Sequence, residues 1–218
     1  RHIAANPLIN RGWRYEMDFG ALEALARRRD VKLMLLCSPH NPVGRVWSRE
    51  ELERVGRICM DNGVMLAVDE IHSDLVYPPN RHIPFASISE EFAHSCIVCT
   101  SPSKTFNLAG LLVSDIIIPD GKIREAFRAK MAPYYLWPGN FGAAAQIAAY
   151  TRGEVWLDAL LGFLDSNARY VEGFIAGHMP SVRYRRPEGT YLAWLDFRAL
   201  GMDDDVLWSF MLHEAKVA

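Results

Sequence analysis

Three short apolar runs, each stopped by turn chemistry, constrain this chain more than any other feature. Residues 31–37 (VKLMLLC) run into Ser38-Pro39-His40-Asn41-Pro42-Val43-Gly44. Residues 64–68 (VMLAV) end at Asp69-Glu70, and residues 96–99 (CIVC) lead to Ser101-Pro102-Ser103-Lys104. Runs of this length read as buried strands, and clusters of Pro, Asn, Ser and Gly stop them. Between the first two, Ser48-Arg49-Glu50-Glu51 is a capping box, so a helix starts there with Ser48 as N-cap. Leu52, Val55 and Cys59 give that helix an apolar face, and Asn62-Gly63 stops it. Alternation of strand, helix and strand predicts parallel βαβ units and an α/β fold.

The flanks are read around that centre. Residues 1–12 are expected to be loop, followed by a helix with Phe19, Leu22, Leu25 and Ala26 on one face and Arg27-Arg28-Arg29 at its C-terminal end. Residues 111–118 read as another strand, 122–130 as a helix, and 133–142 as a long loop dense in aromatics, Pro and Gly. From 143 to 179 the pattern is helical with a break near Gly153, and Leu157, Leu160, Leu161, Leu164, Ala168, Val171 and Phe174 repeat at helical spacing for packing. Residues 182–184 and 190–197 read as paired strands, and 203–215 as an amphipathic helix. The expected division is a large domain over 1–165, with its connecting helix, and a smaller α+β domain over 166–218.

Composition excludes several classes of partner. The 218 residues carry a net charge of -2, which gives no reason to expect nucleic acid or an anionic membrane. No apolar run approaches membrane-spanning length, and the N-terminus lacks the apolar core of a signal peptide. Cys96 and Cys99 form a C-x-x-C, but it lies within a strand-like run and has no second copy; with Cys37 and Cys59 they are expected to be structural thiols in a reducing, cytoplasmic setting. The chain has no initiator Met and stops straight after a helical pattern, so both ends are expected to be cut.

Each strand end presents a polar group: Asn41, Asp69 and Lys104. In an open parallel sheet the C-terminal edges face one crevice, where ligands bind. A lysine there can form a Schiff base, and the hydroxyls of Ser101 and Ser103 can hydrogen-bond a phosphate. An acid that holds a pyridinium nitrogen completes what pyridoxal phosphate asks of a protein, and an asparagine amide can donate to the ring's phenolate oxygen. Taken singly, each group has a bland alternative: a surface lysine, a strand-end turn at Asp69-Glu70, a turn at Asn41-Pro42.

Pro39-His40-Asn41-Pro42-Val43-Gly44, Asp69-Glu70-Ile71-His72 and Ser101-Pro102-Ser103-Lys104-Thr105-Phe106-Asn107 together resemble fold-type I pyridoxal-phosphate enzymes of the class I/II aminotransferase group. Within it they are most similar to the cystathionine β-lyase branch, often called MalY/PatB-like, as is Glu188-Gly189-Thr190-Tyr191-Leu192-Ala193-Trp194-Leu195-Asp196. The resemblance implies a three-layer αβα large domain with a mainly parallel sheet and a smaller α+β domain, both incomplete. It makes Lys104 the cofactor lysine and catalytic base, Asp69 the pyridinium partner, Asn41 the phenolate-oxygen donor, and Ser101 and Ser103 phosphate contacts. His72 stands where the wider group usually has Tyr, and is either a ring neighbour or a satisfied core histidine. Gly110-Leu111-Leu112 stands where that group usually has a G-x-R whose Arg grips phosphate. The group's N-terminal portion and its substrate-carboxylate arginine have no counterpart here.

The activity this implies is a carbon–sulfur β-lyase that cleaves cystathionine or a related cysteine conjugate to pyruvate, ammonia and a thiol. An aminotransferase would use the same residues, a regulatory protein would bind the cofactor without turnover, and a chain lacking both ends could be an inert remnant. Family members are homodimers, and the loop Tyr134-Tyr135-Leu136-Trp137-Pro138 is a candidate for that interface, or for core packing or a local cover. The expected partner is a small amino-acid substrate, with no metal.

Overall fold

A computed structural model describes residues 3–217. The chain opens with a hairpin of β1 (Ile9–Arg11) and β2 (Arg14–Glu16), then α1 (Phe19–Ala26), β3 (Leu33–Cys37), α2 (Arg49–Asp61) and β4 (Met65–Asp69). The one-turn helix α3 (Glu90–Ala93) precedes β5 (Cys96–Thr100), and the one-turn helix α4 (Pro102–Thr105) follows it. β6 (Asp115–Ile117), α5 (Gly121–Met131), α6 (Asn140–Arg152), α7 (Glu154–His178), β7 (Arg183–Tyr184), β8 (Leu195–Asp196) and α8 (Asp204–Ser209) complete the order.

The central sheet has the order β3-β4-β5-β6. β3, β4 and β5 are parallel, and β6 closes the row antiparallel to β5. Cys37, Asp69 and Cys99 share one register, so the three strands end level. Hydrogen bonds continue just past the strands, Ser38 N to Asp69 O at 2.9 Å and Glu70 N to Cys99 O at 2.8 Å. The sheet is therefore tied across at the edge where the polar groups stand.

The capping box forms as the sequence predicts: Ser48 Oγ accepts from Glu51 N at 3.2 Å, and Glu51 returns a carboxylate oxygen to Ser48 N at 2.8 Å. The apolar face of α2 then lies fully buried against the sheet, with Leu52, Val55 and Cys59 packed among Leu36, Leu66, Val68, Phe85 and Val98. A single face of one helix thus joins three strands into one core. Close packing of this kind makes the positions of the strand ends stiff.

Several expectations need correction. Within residues 1–12, of which 1 and 2 lie outside the described residues, Ile9–Arg11 is a strand; its partner follows a turn in which Gly12 and Trp13 both have positive φ. The run at 31–37 is not a buried strand throughout: Leu33 is 51% and Leu35 77% exposed, because β3 is an edge strand and its outer face is bare among the described residues. The strand expected at 111–118 shortens to β6, since Ala109–Leu111 forms a 3-10 turn and Leu112 has φ +49°. The expected strand pair near the C-terminus contracts to two residues on each side, and Thr190 lies outside it with φ +67°. The helix expected over 203–215 divides into α8 and a π turn, Phe210–Glu214. Apart from these corrections, the proposed division into a large and a small domain at 165/166 falls within α7.

Candidate active site

Lys104 owes its place to a sharp change of backbone direction. β5 ends at Thr100, and Ser101 caps α4, its Oγ accepting from Ser103 N at 3.0 Å with Pro102 at the first helical position. Lys104 sits in the last turn of α4, partly buried. Thr105, fully buried next to it, donates from Oγ1 to Asp74 Oδ2 at 2.9 Å. That bond fastens the lysine segment to the turn that follows β4.

Asp69 is the last residue of β4. Its Oδ1 accepts from Ile71 N at 3.1 Å, an Asx turn that directs the chain away from the sheet. No hydrogen bond within the described residues engages Oδ2. Asp69 is exposed, so its carboxylate is available at the edge. On the neighbouring strands Cys37 and Cys99 flank it in register. Burial, then the charge of Asp69, raises the Cys99 thiol above its ordinary range. Burial raises Cys37 too, against an opposing hydrogen bond from Asn41 N. Both stay protonated near neutral pH, and no cluster of metal-ligating side chains occurs among the described residues. The C-x-x-C pair is free, as are Cys37 and Cys59.

His72 is the most informative of the residues picked out from sequence. It is 2% exposed, and its Nδ1 has no hydrogen-bond partner among the described residues. Burial lowers its pKa, with Asp69 pulling it up and Lys104 pushing it down. An orphaned buried nitrogen costs about 1–3 kcal/mol unless something satisfies it. The ring of Tyr191 stands edge-on to it, 5.6 Å between centroids.

The serines divide the work unevenly. Ser101 is buried, and its hydroxyl donates to Val113 O at 2.6 Å. Ser103 Oγ lies 2.6 Å from Ser101 Oγ. With the Ser101 proton spent on Val113, Ser103 is the donor between the two, and it is the hydroxyl that can turn toward an incoming anion. Asn41 is exposed beyond β3; its backbone N–H reaches Cys37 Sγ at 3.5 Å, and its amide group is unengaged among the described residues.

The structure thus brings Asn41, Asp69, His72, Ser103 and Lys104 to one end of three adjacent strands. A primary amine, a carboxylate with an open oxygen, an orphaned imidazole nitrogen and a turnable hydroxyl fit a phosphorylated pyridine aldehyde. Arg45, missed in the sequence, and Glu188, read there only as part of a small-domain motif, form a buried ion cluster that meets the loop carrying Asn41. Arg45 is 3% exposed and makes four hydrogen bonds, to Glu51 at 2.7 and 2.9 Å, Glu188 at 3.1 Å and Tyr15 O at 2.8 Å. Partners 143 residues apart leave no local spacing signal; the one local trace was Glu51, already used by the capping box.

Comparison with known proteins follows the same line. The sequence pattern of the aminotransferase class I and II family matches residues 11–218. The cystathionine β-lyase PatB of Bacillus subtilis is 44% identical over 218 residues, all of this chain and 56% of that protein. Cystalysin from Treponema denticola, which contains a pyridoxal 5'-phosphate cofactor, superposes with a TM-score of 0.97 at 40% identity, over 100% of this chain and 55% of its own. The pyridoxal-phosphate-bound C–S lyase from Staphylococcus hominis superposes with a TM-score of 0.90 at 36% identity, over 97% of this chain and 54% of its own. The chain spans about half the length of the relatives it matches.

Proposed function

This chain belongs to the class I and II aminotransferase family, and on that premise we propose that its protein is a pyridoxal-phosphate-dependent carbon–sulfur β-lyase acting on cystathionine or a related cysteine conjugate. The observation that carries the reading is the common register of Cys37, Asp69 and Cys99, which ends β3, β4 and β5 level at the edge beyond which Asn41 and Lys104 follow. Relatives with cystathionine β-lyase or C–S lyase in their names match at 32–44% identity; among proteins named aminotransferases, one from Clostridium difficile matches at 42% and the N-succinyldiaminopimelate aminotransferase of Mycobacterium tuberculosis at 27%. The preponderance of lyases among the curated relatives at 32–44% identity supports elimination over transamination.

Lys104 would hold the cofactor through its amine and, when released, take the proton from the substrate Cα. Asp69 would hold the ring nitrogen in its protonated form through the open Oδ2. Asn41 would donate its amide to the ring's phenolate oxygen, and His72 would line the ring. Ser103, with Ser101 behind it, would meet the phosphate. The cofactor, when bound, supplies an electron sink that makes the Cα proton acidic and lets the β-sulfur leave. Four free thiols suit a reducing compartment, so the proposed location is the cytoplasm, and a homodimer is the proposed assembly.

The test supplies L-cystathionine and pyridoxal phosphate to the full-length protein without any keto acid, and follows pyruvate. Release is expected, and Lys104→Ala is expected to lower it by at least about a thousandfold. Turnover that needs an added keto acid, or that survives in the variant, would overturn the reading.

A further inference from the structure

Residues 187–191 cross from the C-terminal part of the chain onto two loops of the candidate site at once. Glu188 N and Gly189 N both donate to Gly44 O, at 2.8 and 3.0 Å, in the loop that carries Asn41. Glu188 O accepts from Tyr77 N at 3.0 Å, and Thr190 N donates to Leu75 O at 2.7 Å, in the loop that follows His72. Tyr77 Oη donates to Thr190 O at 2.6 Å. The approach is so close that a Cβ on Gly44 would collide with Pro187, and one on Gly189 would stand 2.9 Å from Leu75 O.

Thr190 is the strained point. It is fully buried with φ +67°, a region that β-branched residues rarely occupy. Such a conformation persists only where the surroundings over-determine it, and these do. The next residue is Tyr191, whose ring meets His72. The Glu188 side chain closes the arrangement: Oε2 accepts from Arg45 Nε at 3.1 Å and from Val46 N at 3.0 Å, and Oε1 accepts from Arg14 Nε at 3.1 Å. Arg45 in turn grips Glu51 at the start of α2, the helix that organises the core.

We infer that Pro187-Glu188-Gly189-Thr190-Tyr191 is a positioning strap, fastened by Glu188, that locks the Asn41 and His72 loops to each other and seats Tyr191 on His72. The inference rests on the reading of this edge as a cofactor site. Glu188 touches neither His72 nor Lys104; it acts through the strap. Release of the strap would open His72 to water and loosen two of the loops around the ring.

The test uses the full-length protein with ring-labelled histidine. The His72 titration midpoint is read by NMR without cofactor, and pyridoxal phosphate affinity by the visible absorbance on titration. In the parent, Asp69 and Lys104 are the charged groups that bear on His72, with burial dominant. Glu188→Ala is expected to move the His72 midpoint up toward the ordinary imidazole value and weaken cofactor affinity by about tenfold. Glu188→Gln keeps an oxygen for Arg45 and Val46, and is expected to restore the parental midpoint and hold affinity within about threefold. A folded Glu188→Ala protein with an unmoved midpoint would overturn the strap. Should that variant fail to fold, Tyr191→Ala decides, because its ring is partly exposed and its loss spares the ion pairs: an unmoved midpoint there overturns the inference equally. The titration needs no turnover, so a failure of the lyase reading would leave it standing.

Discussion

The strap and the aromatic segment that precedes α6 handle exposed chemistry in opposite ways. Around Glu188 the buried charges are paired: Arg45 directs donors at two carboxylates and a carbonyl while almost wholly out of water. Around Tyr134, Tyr135, Leu136, Trp137 and Phe141 the large apolar groups are 67–84% exposed, and no described part of the chain covers them. One region is complete in itself, and the other leaves its apolar surface bare. Contiguous exposed apolar groups mark an interaction surface more often than chance, whereas a satisfied buried ion cluster marks a place where geometry is held. The chain thus carries its precision on the β3–β4 side of the site and its unfilled contacts on the α5–α6 side.

The sharpest way to break this comparison is to unbalance the complete region. Arg45→Ala leaves Glu51 and Glu188 with a buried partner gone, and breaking a pair of this kind costs about 3–5 kcal/mol. Urea denaturation is expected to show that loss as a lower midpoint with an unchanged slope; a shift under about 1 kcal/mol would mean the cluster is hydrated and loose.

Acidification probes the same side. Burial is the chief cause that lowers the pKa of both His40, in the Asn41 loop, and His72. Each therefore binds fewer protons folded than unfolded, so stability is full above about pH 6.5 and falls as pH drops through the ordinary imidazole range toward the lowered values. The loss is expected to stay below about 1.4 kcal/mol per pH unit for each imidazole, and His72→Phe should flatten the curve. Stability that rises on acidification through that window would contradict a neutral, buried pair. The smallest effect belongs to the open region: Trp137→Ser is expected to change folding stability by less than about 0.5 kcal/mol. A cost well above this, measured by denaturation at several protein concentrations, would show that the segment is covered in solution.

The placement of Lys104, Asp69 and Asn41 at one sheet edge was legible because each follows a short apolar run with a hard stop, and parallel strands then place such stops on one edge. The α2 cap was legible from four consecutive residues. The β1–β2 hairpin was not, since three-residue strands carry no periodicity and its turn depends on Trp13 taking a positive φ. Arg45 looked like any surface arginine, because its burial comes from partners at positions 15, 51 and 188. The strain at Thr190 was equally hidden: nothing in Glu188-Gly189-Thr190 says that the threonine, and not the glycine, takes a positive φ. Leu35 misled for the opposite reason, since composition cannot tell an edge strand from a central one.

The common register of Cys37, Asp69 and Cys99 makes the face on which the Asp69 carboxylate stands a discrete quantity. Side chains on a strand alternate faces, so inserting or deleting one residue inside β4 would turn Asp69 to the opposite side of the sheet instead of moving it a little. Fine adjustment of what this site accepts is therefore closed to the strands. It is open to the loops that leave them, where length can change by one residue without a reversal, and a library that varies loop length after β3 and β4 while leaving the strands untouched is the natural route to new substrate preference.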